Sequence, residues 1–168
     1  HVMVTNAGGG YSRWKDIAVT RWREDNTCDN WGTFCYIRDL ESTGYWSAAH
    51  QPTQRQAKQY EAVFSQGRAE FRRRDNDIET HTEIVVSPED DGDVRRVSIT
   101  NLGARTREIE LTSYAEVVLA PASDDTAHPA VSKMFVQTEF VPELGALLAT
   151  RRRRSATEDE VWAGDLAV

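Results

Sequence analysis

The chain has 168 residues, 39% of them hydrophobic and 28% charged, with a formal net charge of −7. That is enough chain for one ordinary domain with a core that needs no disulfides. The negative charge argues against a general nucleic-acid binder, and no run of about 18 apolar residues is present to span a membrane.

The start, Val2-Met3-Val4, reads as a strand with no secretory signal before it. Both ends, at His1 and at Asp165-Leu166-Ala167-Val168, read as cuts in a longer protein. Residues 5–32 are the most unusual stretch and are expected to form a loop. Gly8, Gly9 and Gly10 permit tight turning or close approach. They make no phosphate loop, because no Gly-Lys-Ser/Thr follows. Behind them Trp14, Trp22 and Trp31 interleave with Arg13, Arg21 and Arg23 and with Asp16, Glu24 and Asp25. A sugar presents apolar C–H faces and a rim of hydroxyls. Aromatic rings cover the former, and Arg, Asp or Asn hydrogen-bond the latter. The competing reading is that these tryptophans plug a sandwich edge or an interface. Cys28 and Cys35 could close a short loop, but two cysteines define no framework. Cys35, inside the apolar run Phe34-Cys35-Tyr36-Ile37, is expected to be a buried free thiol.

Residues 51–59 read as a polar loop. From there the apolar spacing is period two, the strand signature. Tyr60, Ala62 and Phe64 alternate with polar neighbours, Gln66-Gly67 turns, and Ala69, Phe71 and Arg73 follow. Asn76-Asp77 turns again into 78–86, with Ile78, Ile84 and Val86 on one face. Pro88 and the acidic segment 89–93 end that strand. Val97 and Ile99 begin another run, and Asn101 to Arg105 are turn-rich. A long strand is expected over 107–119, with Ile109, Leu111, Ala115, Val117 and Leu119 buried. The two runs are expected to pair as a hairpin. Residues 121–131 read as a polar loop. The segments 134–141 and 146–153 flank the turn Pro142 to Gly145, and Val161-Trp162-Ala163 reads as a last strand. Eight or more short strands, with no amphipathic helix of ten residues, imply a sandwich or barrel built as one domain over 1–168.

Other chemistry-bearing residues carry weaker signals. His50, His81 and His128 have no visible partner and read as structural or surface residues. The acids Glu89, Asp90, Asp91 and Asp93 lack EF-hand spacing and read as a solvated turn. Arg151 to Arg154 and Glu158-Asp159-Glu160 read as charge neutralisation between strands. No metal site is expected, and no nucleophile–base pair or Gly-x-Ser-x-Gly elbow is present. Sequence spacing cannot select a carboxylate pair for glycoside chemistry.

Several stretches together resemble a known family. They are Gly9-Gly10-Tyr11-Ser12-Arg13-Trp14-Lys15-Asp16 with Ile17 to Asp25, Tyr36-Ile37-Arg38-Asp39, Tyr45-Trp46-Ser47 and Gln51-Pro52. Further along are 69–75, 86–91, 110–116, 135–140 and 142–148. The likeness is to the N-terminal domain of the cellobiose phosphorylase family, formerly glycosyltransferase family 36. It is strongest to the phosphorylase-like part of cyclic β-1,2-glucan synthases, and it covers essentially the whole chain. The resemblance implies an all-β, two-sheet antiparallel super-sandwich of the galactose-mutarotase type, preceding an (α/α)6 barrel that holds the general acid. It implies inverting phosphorolysis of a β-glucoside by the parent enzyme, with inorganic phosphate attacking the anomeric carbon to give glucose 1-phosphate, or the reverse reaction from glucose 1-phosphate. This domain would itself hold no catalytic residue and no cofactor. Its expected partners are a β-glucan or β-glucoside oligosaccharide, the barrel of the same chain, and a second copy in a homodimer. Its expected location is cytoplasmic, on an inner-membrane parent. The substrate-binding candidates so implied are Tyr11, Arg13, Trp14, Arg21, Trp22 and Arg23, on the loop 9–25.

Overall fold

A computed structural model describes residues 1–153 and the backbone of 161–166. The architecture is mostly β, in several antiparallel sheets. The elements in chain order are β1 (Val2–Val4), β2 (Gly10–Trp14), β3 (Ile17–Thr20), β4 (Thr33–Asp39), β5 (Tyr45–Ser47), β6 (Gln59–Ser65), β7 (Arg68–Asp75) and β8 (Ile78–Val86). They continue with β9 (Asp93–Asn101), β10 (Ile109–Ala115), β11 (Val117–Pro121), α1 (Ala122–Ala127), α2 (Pro129–Lys133), β12 (Val136–Val141), β13 (Ala146–Arg151) and β14 (Val161–Leu166).

One layer is the sheet β6-β7-β8-β9, a plain meander. Its turns follow from local chemistry: Asn76 and Asp77 both adopt positive φ, 46° and 62°, which short polar side chains tolerate best. The facing layer is β10-β4-β5. Between them Ile37, Trp46, Ala48 and Ile78 form a buried cluster, with Cys35, Ile99 and Ile109 packed against it. A second cluster joins Ala69, Phe71 and Ile84 to Val4, Ala49 and Ala62. Thus the sheet β1-β2-β3-β11 begins over the same meander. Arg73 lies in this interior, 1% exposed. It holds Asp75 at 2.7 Å and donates to the carbonyls of Ala49 and Arg55, pinning the loop 48–57 to β7. A buried charge persists only when paired and hydrogen-bonded in this way.

Four expectations need correction. First, β9 and β10 do not pair: β9 bonds to β8 and β10 to β4. The Asn101 side chain caps the segment by contacts to Gly103 and Arg105, and Leu102 N donates to Asp77 O. Arg107 then binds Asp39 of β4, so the chain crosses between layers there. Ile99 and Ile109 consequently sit on different sheets, each packed against the same buried cluster.

Second, the long strand 107–119 is two strands. It breaks at Glu116, whose carbonyl accepts Arg21 N–H, and Leu119 takes a positive φ of 54° where the β3–β11 register shifts. Leu119 is buried, but Leu111, on the free edge strand β10, is 51% exposed. Third, 121–131 is not a loop but most of the two short helices α1 and α2, with Pro129 opening the second. Helices of six and five residues are too short for a periodicity signal. Fourth, the expected loop 9–25 contains the hairpin β2–β3, turning at Lys15 with φ 54°.

The remaining hairpins, β6–β7, β7–β8 and β12–β13, pair where the turn residues place them, and β14 pairs with β13. Cys28 is exposed and Cys35 half-buried, both as free thiols, and burial pushes the Cys35 thiol up. Glu158, Asp159 and Glu160 lie outside the described residues.

Candidate functional site

The hairpin β2–β3 and the segment after it place the arginines and aromatics of the N-terminal third. Strand alternation puts Tyr11 and Arg13 on one face of β2 and Trp14 on the other. The Arg13 guanidinium lies 4.3 Å over the Tyr11 ring. Trp22, beyond the end of β3, meets the same ring edge-on at 5.4 Å, and the His1 ring stands 5.7 Å away on another side. His1 is fixed there by exchanging backbone bonds with Arg13 at 2.8 and 2.9 Å. The half-buried Tyr11, Arg13 and Trp22, with the exposed His1, thus form one shelf of rings and a cation.

Close backbone approach builds the floor of this region. A Cβ on Gly10 would lie 2.0 Å from the Met3 carbonyl oxygen, and its φ is 150°. A Cβ on Gly9 would lie 2.1 Å from Asp29 Oδ1, where Asp29 also takes the Thr5 hydroxyl. Gly10 N donates to Trp31 O at 2.8 Å, folding the segment 21–32 back onto β2.

The other candidates sit apart from the shelf. Trp14 is 43% exposed, donates to Asp91 at 2.9 Å and lies under Lys15 Nζ at 4.2 Å. Asp91 comes from the acidic segment that reads as a solvated turn in the sequence. Arg23 stands 5.8 Å from the Trp31 ring and bonds the Asp125 carbonyl at 3.5 Å. Arg21 is 3% exposed and its fork is engaged throughout. Nε and Nη2 donate to the two oxygens of Asp125 at 2.8 and 2.6 Å, and Nη1 donates to Glu116. Burial pushes the Asp125 carboxyl up, but the Arg21 hydrogen bonds and charge outweigh it and leave its pKa lowered. Glu116 also accepts the Tyr114 hydroxyl at 3.1 Å and faces Lys133 at 3.4 Å.

Chemically, the shelf can stack on an apolar face and donate hydrogen bonds from Arg13. The carboxylates nearby, Glu116 and Asp125, are both tied to Arg21. Sequence reading missed Asp125, Glu116, Asp91 and His1, since their partners lie up to 104 residues away. The one local signal was the acidic pair Asp124-Asp125 opening a short helix.

A second group lies on the outer face of the meander. Glu70, His81 and Glu83 bring three potential ligand atoms within 4.8 Å of one another. They come from adjacent strands, which is why no sequence motif announces them. Arg68, Arg72 and Arg96 already pair with these carboxylates, which leaves little net negative charge for a cation. His50, by contrast, packs its ring 6.3 Å from Tyr60.

Comparison with known proteins agrees with this architecture. The family model described as "Glycosyl hydrolase 94, supersandwich domain" matches residues 1–166. The chain is 38% identical over 165 residues to the cyclic β-(1,2)-glucan synthase NdvB of Rhizobium meliloti (strain 1021), covering 98% of this chain and 6% of that protein. It is 26% identical over 147 residues to the N,N'-diacetylchitobiose phosphorylase of Vibrio proteolyticus, covering 84% of this chain and 18% of that protein. The 3-O-β-D-glucopyranosyl-β-D-glucuronide phosphorylase of Paenibacillus borealis matches over 46% of this chain, at 30% identity, and over 10% of its own length. The chain therefore spans only a small part of these relatives. With its antiparallel sheets and a family match over nearly its whole length, the chain belongs to the supersandwich domains of glycosyl hydrolase family 94.

Proposed function

We propose that this chain is the accessory sandwich domain of a larger inverting phosphorylase or glucan synthase acting on β-glucosides. In this reading it packs on an (α/α)6 domain of the same parent and lends the Tyr11–Arg13–Trp22 shelf to the rim of the sugar site. The parent consumes inorganic phosphate and yields glucose 1-phosphate, or runs that reaction in reverse. It dimerises and is held at the inner membrane with this region on the cytoplasmic side. No helix of the described residues is long and apolar enough to cross a membrane, so any anchor would belong to the rest of the parent.

The shelf is the observation that carries this reading. It gathers two aromatic rings and a guanidinium, the kinds of group that meet a pyranose's apolar face and its hydroxyls. Arg21 serves differently: its bonds to Asp125 and Glu116 fix the segment bearing Trp22 and Arg23. The packing role is supported by Phe140 and Leu147, register partners on β12–β13 that are 56% and 45% exposed. Met134 and Leu144, exposed at 72% and 69%, add to this apolar surface.

The test is phosphorolysis by the full parent enzyme carrying Trp22→Ala or Arg13→Ala. Each lost stacking or hydrogen-bonding contact is worth about 1 kcal/mol, so kcat/KM falls about fivefold per variant. The isolated chain releases no glucose 1-phosphate. Parent variants with unchanged kinetics, or turnover by the isolated chain, would defeat the proposal.

A further inference from the structure

The outer face of the sheet β10-β4-β5 carries a chemistry that the core does not use. Register fixes its members: Arg38 pairs with Tyr45 on one side and Glu110 on the other, and Tyr36 pairs with Thr112. Residues directly opposite share a face, so Tyr45, Arg38, Glu110, Tyr36 and Tyr114 all project outward. Tyr45 is 59% and Tyr114 45% exposed. The Tyr36 and Tyr114 rings meet edge to face at 6.3 Å. Arg38 and Glu110 sit between the outer tyrosines as a loose pair at 3.5 Å, their side chains 56% and 50% exposed. Strand geometry puts Tyr45 and Tyr114 roughly 16 Å apart, two strands over and four residues along.

We propose that Tyr45, Tyr36 and Tyr114, with Arg38 and Glu110, form a second carbohydrate surface, one that holds a β-linked glucopyranose chain beyond the Tyr11–Arg13–Trp22 shelf. The proposal rests on the sugar-handling role given above. Three features favour a saccharide over an apolar protein segment. The aromatics exposed on this face all end in a hydroxyl, while Phe34, opposite Tyr114, is buried. A guanidinium and a carboxylate, the groups that grip sugar hydroxyls, stand in the middle of the track. The track is also tied to the scaffold beneath the first site: the Tyr114 hydroxyl donates to Glu116, which holds Arg21 beside Trp22 in the chain. The opposite layer shows the contrast. Its outer face is a ladder of paired charges, Arg68, Glu70, Arg72, Glu83 and Arg96, with no exposed aromatic ring among them.

The experiment is calorimetric titration of the chain with linear β-1,2-gluco-oligosaccharides from the disaccharide upward. Affinity should rise with length until the ligand spans the track. The double variant Tyr45→Ala/Tyr114→Ala should lose about tenfold in affinity for the long ligands and nothing for the disaccharide. Arg13→Ala and Trp22→Ala should weaken both. Circular dichroism and thermal melting confirm that the variants fold, and Tyr45→Phe, which keeps the ring, should retain most of the binding. Length-independent affinity, or long-ligand binding untouched by the tyrosine double variant, overturns this surface while leaving the shelf intact. If shelf variants change neither ligand binding nor parent kinetics, the sugar-handling role itself fails. Chemical labelling of the full parent that finds Tyr45 covered with and without ligand would also overturn the proposal, assigning the face to another domain.

Discussion

Asp125→Ala isolates the contact on which the candidate site is built. Asp125 and Arg21 are 5% and 3% exposed, and two hydrogen bonds at 2.6 and 2.8 Å join them. Removing one member of a buried pair strands the other charge, which costs about 3–5 kcal/mol. Arg21 keeps Glu116, so the low end applies, about 3 kcal/mol. Asp125→Asn keeps the shape and one acceptor and should cost about 1–2 kcal/mol, the loss of charge assistance. Asp124→Ala, one residue away and exposed, should change stability by less than about 0.5 kcal/mol. Urea unfolding, followed by the fluorescence of Trp22 and its neighbours, measures all three. A double-mutant cycle between Arg21 and Asp125 should return a coupling energy of about 2 kcal/mol or more. Replacing both by Met and Leu should recover much of the loss. A cycle that closes to zero, or an Asp125→Ala variant as stable as Asp124→Ala, would refute the view that this pair clamps the helical segment to the hairpin.

Other outcomes follow from the same geometry. The Arg107 hydrogen bond, helped by Ser42 and the Glu41 N–H, holds the fully buried Asp39 carboxyl down at about 2 against an ordinary 3.8. A depressed carboxylate stabilises the fold above its unfolded pKa and loses that contribution as pH falls towards the folded one. Acid titration of stability should therefore drop between about pH 4 and pH 2 in the native chain, and Asp39→Asn should flatten that window. Thr80 is 0% exposed and its hydroxyl finds no partner among the described residues. Thr80→Val should be neutral or stabilising by up to about 1 kcal/mol, read as a rise in Tm; a loss larger than that would mean the hydroxyl is bonded in solution. Gly10→Ala should cost about 2 kcal/mol or more, because its methyl would strike Met3 O and the β1–β2 pairing must give way. Its melting temperature and its sugar affinity should fall together.

How much of this was legible beforehand depended on the range of each interaction. Asn76-Asp77, Gln66-Gly67 and Pro142 to Gly145 announce their hairpins because turn preference acts within four residues. Buried positions on β8 were also legible: Ile78 and Ile84 lie inside, while Val86 at the strand end is 44% exposed. The β9–β10 relation was not legible, since two consecutive period-two runs joined by a turn-rich segment look the same whether they pair or cross. The crossing is decided by Asn101, Asp77, Arg107 and Asp39, residues far apart in sequence. Glu116 illustrates the same limit. Its neighbours alternate as one strand, and only the arrival of Arg21 N–H at its carbonyl divides that strand in two.

The candidate site shows why composition singled out a segment without resolving the roles within it. Aromatics and arginines between 11 and 31 form a pattern that either a sugar surface or a plugged edge would produce. Burial separates the two uses within that one stretch. Arg13 lies over the Tyr11 ring, which Trp22 also meets. Arg21 spends its fork on two carboxylates inside. Strand alternation puts Tyr11 and Arg13 on one face of β2, while a buried acid holds Arg21 in the interior. A guanidinium that is dry and fully bonded would have to break about three charge-assisted contacts to greet a ligand, a cost that a single sugar hydroxyl does not repay. The six sequence candidates therefore divide by accessibility: Arg21 is buried and holds the scaffold, while Arg13 and Trp22 are only half-buried.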